Sequence, residues 1–249
     1  MFGKKAYTAE GLHDAQQVNS YQDHLVNIYG ECGVSPTLTA TVGLAPIGYA
    51  KAGSESTSYV GPLSAGLRLG LKREGRLRLA ISASYSFAPP VGDRVLDVSP
   101  IIGANGNSSQ AIYQPTVENH AGQLQFELGL AFGNERFPSF FSASIGPRFN
   151  SASTVDHALV GVLQVGTTFW RRLSTIINVS VYEPFFQPVT VSNTSGAGQT
   201  RYMGMGMTVS YWLIDALAIL ANFEGVFYAE SNAATPSLSF GLESKFQLF

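Results

Sequence analysis

The chain has 249 residues, a length that fits one domain, and its 15 basic and 17 acidic residues leave a net charge of −2. Charged residues make up 13% of it, about half of the roughly 25% typical of soluble domains. Lys and Arg are scattered, which argues against a nucleic-acid-binding surface. The single cysteine, Cys32, excludes an internal disulfide framework, and no spacing typical of a metal or cofactor site is present.

Alternation of apolar and polar residues is the main structural signal. In 61–73, Leu67, Leu69 and Leu71 alternate with Arg68 and Gly70. Since successive side chains of a strand point to opposite faces, such a segment has one apolar and one polar face. No stretch approaches the ~18 apolar residues that a transmembrane helix requires. In chain order, the predicted strands are 2–9, 24–34, 37–50, 61–73, 77–87, 124–132, 141–149, 159–169, 175–185, 203–213, 217–227 and 238–248.

The connections between these strands alternate in length. Short ones lie near 35–36, 73–76, 134–138, 171–172 and 214–215, and longer ones near 10–19, 51–59, 89–119, 151–156, 187–199 and 230–236. Short turns on one side and long loops on the other are the layout of outer-membrane barrels. We therefore predict an all-β fold: one closed, antiparallel transmembrane β-barrel domain, 1–249, of about twelve strands, with short periplasmic turns, longer extracellular loops and periplasmic termini.

A soluble β-sandwich is the alternative fold, because its strands also alternate. Sandwich strands are typically about 5–6 residues long, whereas a tilted strand needs roughly 9–11 residues to cross the hydrocarbon, as these segments do. The polar face is also mainly small residues, which suit the inside of a barrel. Aromatic residues cluster near both strand ends, as two interfacial belts would. They are Phe132, Phe137, Phe140, Trp170, Tyr211 and Trp212 near the turns, and Tyr49, Tyr85, Phe87, Phe185, Phe186, Phe227 and Tyr228 near the loops.

Two segments resemble known bacterial proteins. The final strand resembles that of outer-membrane barrels, which closes on a terminal Phe, although Phe246 and Leu248 lie out of register with Phe249. Residues 29–34, Leu38-Thr39 and 66–72 resemble the opening hairpins of uncharacterised proteobacterial barrels related to the phenol meta-pathway transporter group. The second resemblance covers about a quarter of the chain, with motifs of low specificity, and implies passage of small molecules.

The polar face of the strands supplies the candidate pore lining. It carries ten charged residues, five acids and five bases: Asp23, Glu31, Arg68, Lys72, Arg78, Glu127, Arg148, Glu224, Glu243 and Lys245. Counting from the short turns places Arg68, Glu243, Glu127, Glu224 and Arg148 at middle depth, with Gln164, Asn178 and Asn222. Charged rings at a constriction select ions or polar solutes. Alternatively, the balanced charges pair across the lumen and plug or stiffen the barrel, and strong ion selectivity is not expected.

A passive channel or facilitator for small solutes is the function we expect first. A closed-lumen structural or interaction barrel, as a subunit of an envelope complex, is the second hypothesis. An outer-membrane hydrolase using Asp156-His157 is the third, although the sequence gives no geometry for a base and its orienting group. The loop 90–119 exceeds the ~12–15 residues at which structureless loops become uncommon, so it either folds inward as a partial plug or docks a partner outside.

The expected surroundings follow from the barrel. They are a Gram-negative outer membrane with lipopolysaccharide, a small solute, no nucleic acid, and protein partners that the sequence does not name. Lys4 and Lys5 are followed by polar residues rather than by an apolar segment. We therefore expect the sequence to be the mature form of an exported protein.

Overall fold

A computed structural model describes residues 2–7, 15–90, 96–97, 101–102, 108–109, 112–113, 115–152, 155–185, 201–230, 232–233 and 236–245. Every regular element in these ranges is a strand, and none of their residues form a helix long and apolar enough to span a membrane. The long strands are β1 (Phe2–Tyr7), β2 (Ala15–Gly33), β3 (Leu38–Ala52), β4 (Glu55–Tyr59 and Leu63–Lys72), β5 (Leu77–Ala88), β6 (Asn119–Asn134), β7 (Phe137–Asn150), β8 (Ala158–Phe169), β9 (Leu173–Pro184), β10 (Arg201–Ile214), β11 (Leu217–Glu230) and β12 (Ser237–Ser244).

These twelve strands form one antiparallel sheet in which each strand pairs with the next in the chain. The short segment Asn232–Ala233, just before β12, pairs with Tyr7 and Ala6 of β1. The sheet therefore curls round until its two ends meet on the loop side. On the turn side the two ends of the sheet are not paired with each other in the described ranges. There β12 pairs only with β11, and the part of β2 that follows Gln22 pairs only with β3. The predicted antiparallel barrel architecture with twelve strands is confirmed.

The apolar side chains of the strands lie on the outer, convex face. Leu67, Leu69, Phe126, Leu128 and Ile145 are all exposed, and their strand neighbours on the opposite face are small or polar residues. Soluble monomers rarely expose contiguous apolar patches larger than a few hundred Å². The inside-out arrangement matches the alternation expected from the sequence and leaves the polar face inside the curl.

Strand ends differ from the prediction mainly on the loop side. Segment 51–59, predicted as a loop, is a tight hairpin, because β3 runs to Ala52 and Gly53 adopts a φ of +58° that glycine tolerates. Residues 15–19, also predicted as loop, belong to β2. Their sequence, Ala-Gln-Gln-Val-Asn, does not alternate apolar with polar residues, so it lacks the pattern that marks a bilayer-crossing strand. The predicted loop 187–199 and the end of the last strand at 246–249 lie outside the described residues.

The long connection between β5 and β6 contains two short ladders. Leu96–Asp97 pairs with Ile112–Tyr113, and Ile101–Ile102 pairs with Ser108–Ser109. The hydroxyl of Thr116 donates to the Pro89 carbonyl across 2.8 Å and closes the base of the loop.

Two short segments of this connection lie close to the first strands. Leu96–Asp97 lies beside β3 and β4, and Ile101–Ile102 beside β2. On the inner face of these strands Ala50 is 0% and Thr57 2% exposed, whereas the outward Ile47 is 64% exposed. The buried side of these strands is therefore the inner one. Both alternatives for the loop, an inward fold and an outer docking surface, stay predictions.

Candidate functional site

Arg68 shows which face of the sheet is concave. Its guanidinium lies 3.4 Å from a carboxylate oxygen of Glu31 on β2 and 2.9 Å from one of Glu127 on β6. Each partner lies two strands away from β4. Because neighbouring strands are about 4.8 Å apart, such contacts require side chains that converge, as they do on the inside of a curled sheet. The polar face is therefore the lumen face.

A cavity of about 780 Å³ lies in the turn-side half of this lumen. Five of the predicted pore residues line it: Arg68, Lys72, Arg78, Glu127 and Gln164. Much of the remaining wall is polar, including Thr37, Thr39, Gln125, Ser142 and Ser144, with Arg73 and Glu74 at the turn. Among the described residues, Lys72 and Arg78 make no ion pair, whereas Arg68 is held by two carboxylates.

A second cavity, of about 400 Å³, lies near the loop end of the lumen and contains Arg148. The Arg148 guanidinium donates to Oδ1 of Asn150 at 3.2 Å, to Oε1 of Gln123 at 3.3 Å and to Oγ of Ser86 at 3.2 Å. All three acceptors are neutral. The ion pairs formed within the described ranges do not include Arg148, so its charge is held in place without being cancelled.

Buried amides fix the wall around Arg148. Asn119 donates to Asn150 across 2.9 Å, and Asn150 donates to the backbone carbonyl of Asp156 at 2.6 Å. The hydroxyl of Tyr182 lies 3.3 Å from the Asn150 amide nitrogen, which donates to it, and 3.4 Å from the same carbonyl. Buried amides are expected to be hydrogen-bonded, and this network ties β6, β7 and β9 together at the mouth.

Two tyrosines complete this cavity. Tyr182 and Tyr202 stack with their ring centroids 5.8 Å apart and an interplanar angle of 8°, and both line the cavity with Pro62 and Val117. The sequence prediction did not include them. A signal was available, because Tyr182 follows Asn178 and Ser180 at even spacing and so shares their polar, inward phase.

The wall formed by β9, β10 and β11 carries the remaining mid-strand residues. Thr208 donates to Asn222 at 2.9 Å, and Asn222 donates to a carboxylate oxygen of Glu224 at 3.0 Å. Asn178 lies opposite Gly206, which in turn lies opposite Glu224. Asn178, Asn222 and Glu224 are thus brought together on one wall. Asn178 also lies opposite Gln164, which lines the cavity that contains Arg68.

Glu243 was predicted at middle depth, and that placement is wrong. It pairs with Ala218, one residue after the start of β11, because β12 ends at Ser244 close to the turn side. Arg148 also leaves the predicted mid-depth level, since it pairs with Ala158 at the loop end of β8. The predicted charges therefore spread along the lumen instead of forming one ring.

A third cavity, of about 450 Å³, lies at the turn end and contains Glu243 and Lys245. The ammonium of Lys245 lies 3.7 Å from the centroid of the Trp212 ring, a cation–π contact. Phe140 and Trp212 line this cavity, which corrects their assignment to the outer aromatic belt. Other belt residues, including Phe132, Trp170 and Tyr211, are exposed on the outer face as expected.

The proposed hydrolase pair does not form a catalytic arrangement. Nδ1 of His157 accepts the backbone N–H of Asn150 at 3.1 Å, and the ring packs edge-on against Phe149. This nitrogen is therefore engaged by the backbone and does not contact the Asp156 carboxylate. In the part of the chain that the structure describes, no three His, Cys, Asp or Glu side chains are grouped to hold a metal ion.

Comparison with known proteins gives a likeness of fold. An outer membrane channel from Pseudomonas putida F1 aligns over 97% of this chain and 88% of its own, with a TM-score of 0.56 and 12% sequence identity. The beta domain of the Bordetella autotransporter BrkA aligns over 97% of this chain and 96% of its own at 13% identity, but its TM-score of 0.42 is too low to establish a shared fold. No protein-family model and no curated protein matches the sequence. The link to phenol meta-pathway transporters stays a prediction, and the chain shares its fold with a solved outer membrane channel.

Proposed function

We propose that the chain is an outer-membrane channel through which small polar solutes pass passively. One observation carries the proposal: the inner face of the curled sheet encloses a polar cavity of about 780 Å³ lined by Arg68, Lys72, Arg78, Glu127 and Gln164. A barrel built for structure alone fills its interior with side chains, as small eight-stranded barrels do. Here the inner face carries small residues next to charged ones, which leaves open space inside the curled sheet.

Location in an outer membrane of a Gram-negative bacterium is part of the same proposal. The exposed apolar outer face suits a hydrocarbon environment, where backbone groups must be paired within the protein and where closed barrels are one of two viable architectures. The shared fold with an outer membrane channel supports this location. Lipid and lipopolysaccharide would then be its immediate neighbours.

Planar-bilayer recording of the purified full chain tests the channel. We expect discrete conductance steps from the intact protein. We also expect larger steps when 91–114 is replaced by a short Gly-Ser turn, because that change removes the loop segments over β2 to β4 and keeps the Thr116–Pro89 contact. Absence of steps from both proteins, when each shows a heat-dependent shift in electrophoretic mobility as folded barrels do, would overturn the proposal.

A closed-lumen structural barrel is the second candidate. It is favoured by the ion pairs of Arg68, which bridge β2, β4 and β6 across the inner face, and by the two loop segments that lie close to β2, β3 and β4. The recording separates the two candidates, since a closed barrel gives no steps. The hydrolase hypothesis keeps no supporting geometry, and unchanged behaviour of His157→Ala in any detected hydrolysis would exclude that residue.

A further inference from the structure

Arg148 and Arg68 are both inward-facing arginines, but their partners differ. Arg68 is paired with two carboxylates, so this group of three residues carries a net negative charge. Arg148 is held by two amide oxygens and a hydroxyl, and no carboxylate in the described ranges forms an ion pair with it. A half-buried charge without a counter-ion is costly unless a ligand or solvent supplies one. Arg148 is therefore placed to attract an anion.

The hydrogen-bond count of Arg148 leaves room for that anion. A guanidinium has five N–H donors, and the three contacts use Nε and one donor on each terminal nitrogen. One donor remains on Nη1 and one on Nη2. A guanidinium with free donors on both terminal nitrogens can still bind the oxygens of a carboxylate, an anion for which arginine is preferred.

The surrounding cavity indicates what kind of molecule carries the carboxylate. Its polar side is formed by the amides of Asn119, Gln123 and Asn150, and its apolar side by Pro62, Val117 and the stacked Tyr182 and Tyr202. Polar groups beside an apolar wall are the usual composition of a small-molecule site. An inorganic anion would use only the polar part, whereas a small organic acid would use both.

We infer that the loop-side cavity is a binding site for small organic carboxylates, with Arg148 as the residue that binds the carboxylate. The binding site itself does not depend on the proposed channel function. Only the further step, in which the bound acid passes inward through the lumen, rests on that proposed function. Lys72 and Arg78, unpaired within the described ranges, would provide the next positive charges toward the turn side. The lumen can thus contain equal numbers of acids and bases and still bind anions at its loop end.

Calorimetric titration of the full chain in detergent with succinate tests the site without requiring conduction. Succinamide, which has the same skeleton without charge, serves as the control ligand. We expect succinate to bind and succinamide to bind at least about tenfold more weakly, since hydrogen bonds to charged groups contribute roughly 1.5–3 kcal/mol. Low ionic strength is used, because salt screens such contacts.

Two matched variants localise the binding. Arg148→Gln removes the charge and keeps hydrogen-bonding capacity, and it should raise the Kd for succinate by about tenfold or more. Glu224→Gln removes a charge of opposite sign from the same lumen and should leave binding equal or tighter. Both variants are first checked for the heat-dependent mobility shift of the folded wild-type protein.

The outcomes separate the two proposals. No binding of succinate by the folded wild-type protein, or equal binding by Arg148→Gln, overturns the carboxylate site whether or not the protein conducts. Binding that depends on Arg148 together with an absence of conductance supports the site and overturns the channel. When the protein conducts, succinate should also reduce the conductance of the wild-type channel at lower concentration than that of Arg148→Gln.

Discussion

Two arginines on the inner face of the same sheet show how differently one residue type can be used. Arg68, on β4, lies between Glu31 and Glu127 and joins strands that are not neighbours. Arg148, on β7, is held by Asn150, Gln123 and Ser86. The first arrangement stabilises the curl and cancels charge, and the second positions a charge and leaves it available.

The difference matters because electrostatic effects depend on where charges sit and not on their sum. Charges within a lumen interact through a lower effective dielectric than charges in water, so a paired group and an unpaired group a few strands apart create different local potentials. The lumen can therefore have equal numbers of acids and bases and still favour anions at its mouth.

The largest effect is expected at Gly146, two residues before Arg148 on the same face. A Cβ built on Gly146 would overlap the carbonyl oxygen of Leu124, so the backbones of β6 and β7 approach too closely for any side chain. Gly146→Val should lower the free energy of unfolding by about 3 kcal/mol, as severe overpacking does, measured by urea titration in lipid vesicles. Gly122→Val is the control, because a Cβ there meets nothing within 4 Å, and equal losses in the two variants would contradict the prediction.

The next effect concerns Arg68. Arg68→Gln should leave Glu31 and Glu127 without their counter-charge and shift the selectivity of the channel toward cations, measured as the reversal potential under a KCl gradient. The loss of unfolding free energy should be only about 1 kcal/mol, because the pairs are partly exposed to solvent. Adding Glu127→Gln should restore most of the original selectivity. A reversal potential unchanged by Arg68→Gln would show that this group does not face the conducting path.

The contrast also shows what could be learned from sequence. Alternation identified the strands from 24–34 onward, because each of these segments has one apolar face, whereas 2–9 was the weakest prediction and gave the even strand count. It failed at 15–19, where the sequence Ala-Gln-Gln-Val-Asn does not alternate, and at 51–59, where most residues are small or polar. A strand can be recognised by alternation only where one of its faces is apolar. Where neither face is apolar, the sequence does not distinguish a strand from a loop.

The partners of the candidate site residues could not be predicted. Glu31, Arg68 and Glu127 were each expected on the inner face, but their contacts cross 37 and 59 positions of the chain and depend on how tightly the sheet curls. The three neutral acceptors of Arg148 are likewise set by register. In contrast, the inward phase of Tyr182 was visible in the sequence, although this residue was not among the predicted pore residues.

A smaller effect is expected at Tyr182, whose hydroxyl contacts Asn150 and the carbonyl of Asp156 near Arg148. Tyr182→Phe removes both contacts and keeps the stacked ring, so the unfolding free energy should fall by about 1 kcal/mol. Succinate binding should weaken less than in Arg148→Gln. Tyr202→Phe is the matched control, because the described residues offer its hydroxyl no hydrogen bond, and it should have less effect than Tyr182→Phe.

The smallest effect is expected at His157, which accepts the backbone N–H of Asn150 behind the Arg148 site. His157→Ala removes the acceptor, but the ring is exposed at the loop end, so water can take its place and the loss should stay within about 0.5 kcal/mol. Binding of succinate should remain as in the wild-type protein, since Arg148 keeps all three of its acceptors. A loss of succinate binding as large as that in Arg148→Gln would contradict this prediction. It would mean that the backbone position of Asn150, and not the three side-chain acceptors alone, holds the Arg148 charge in place.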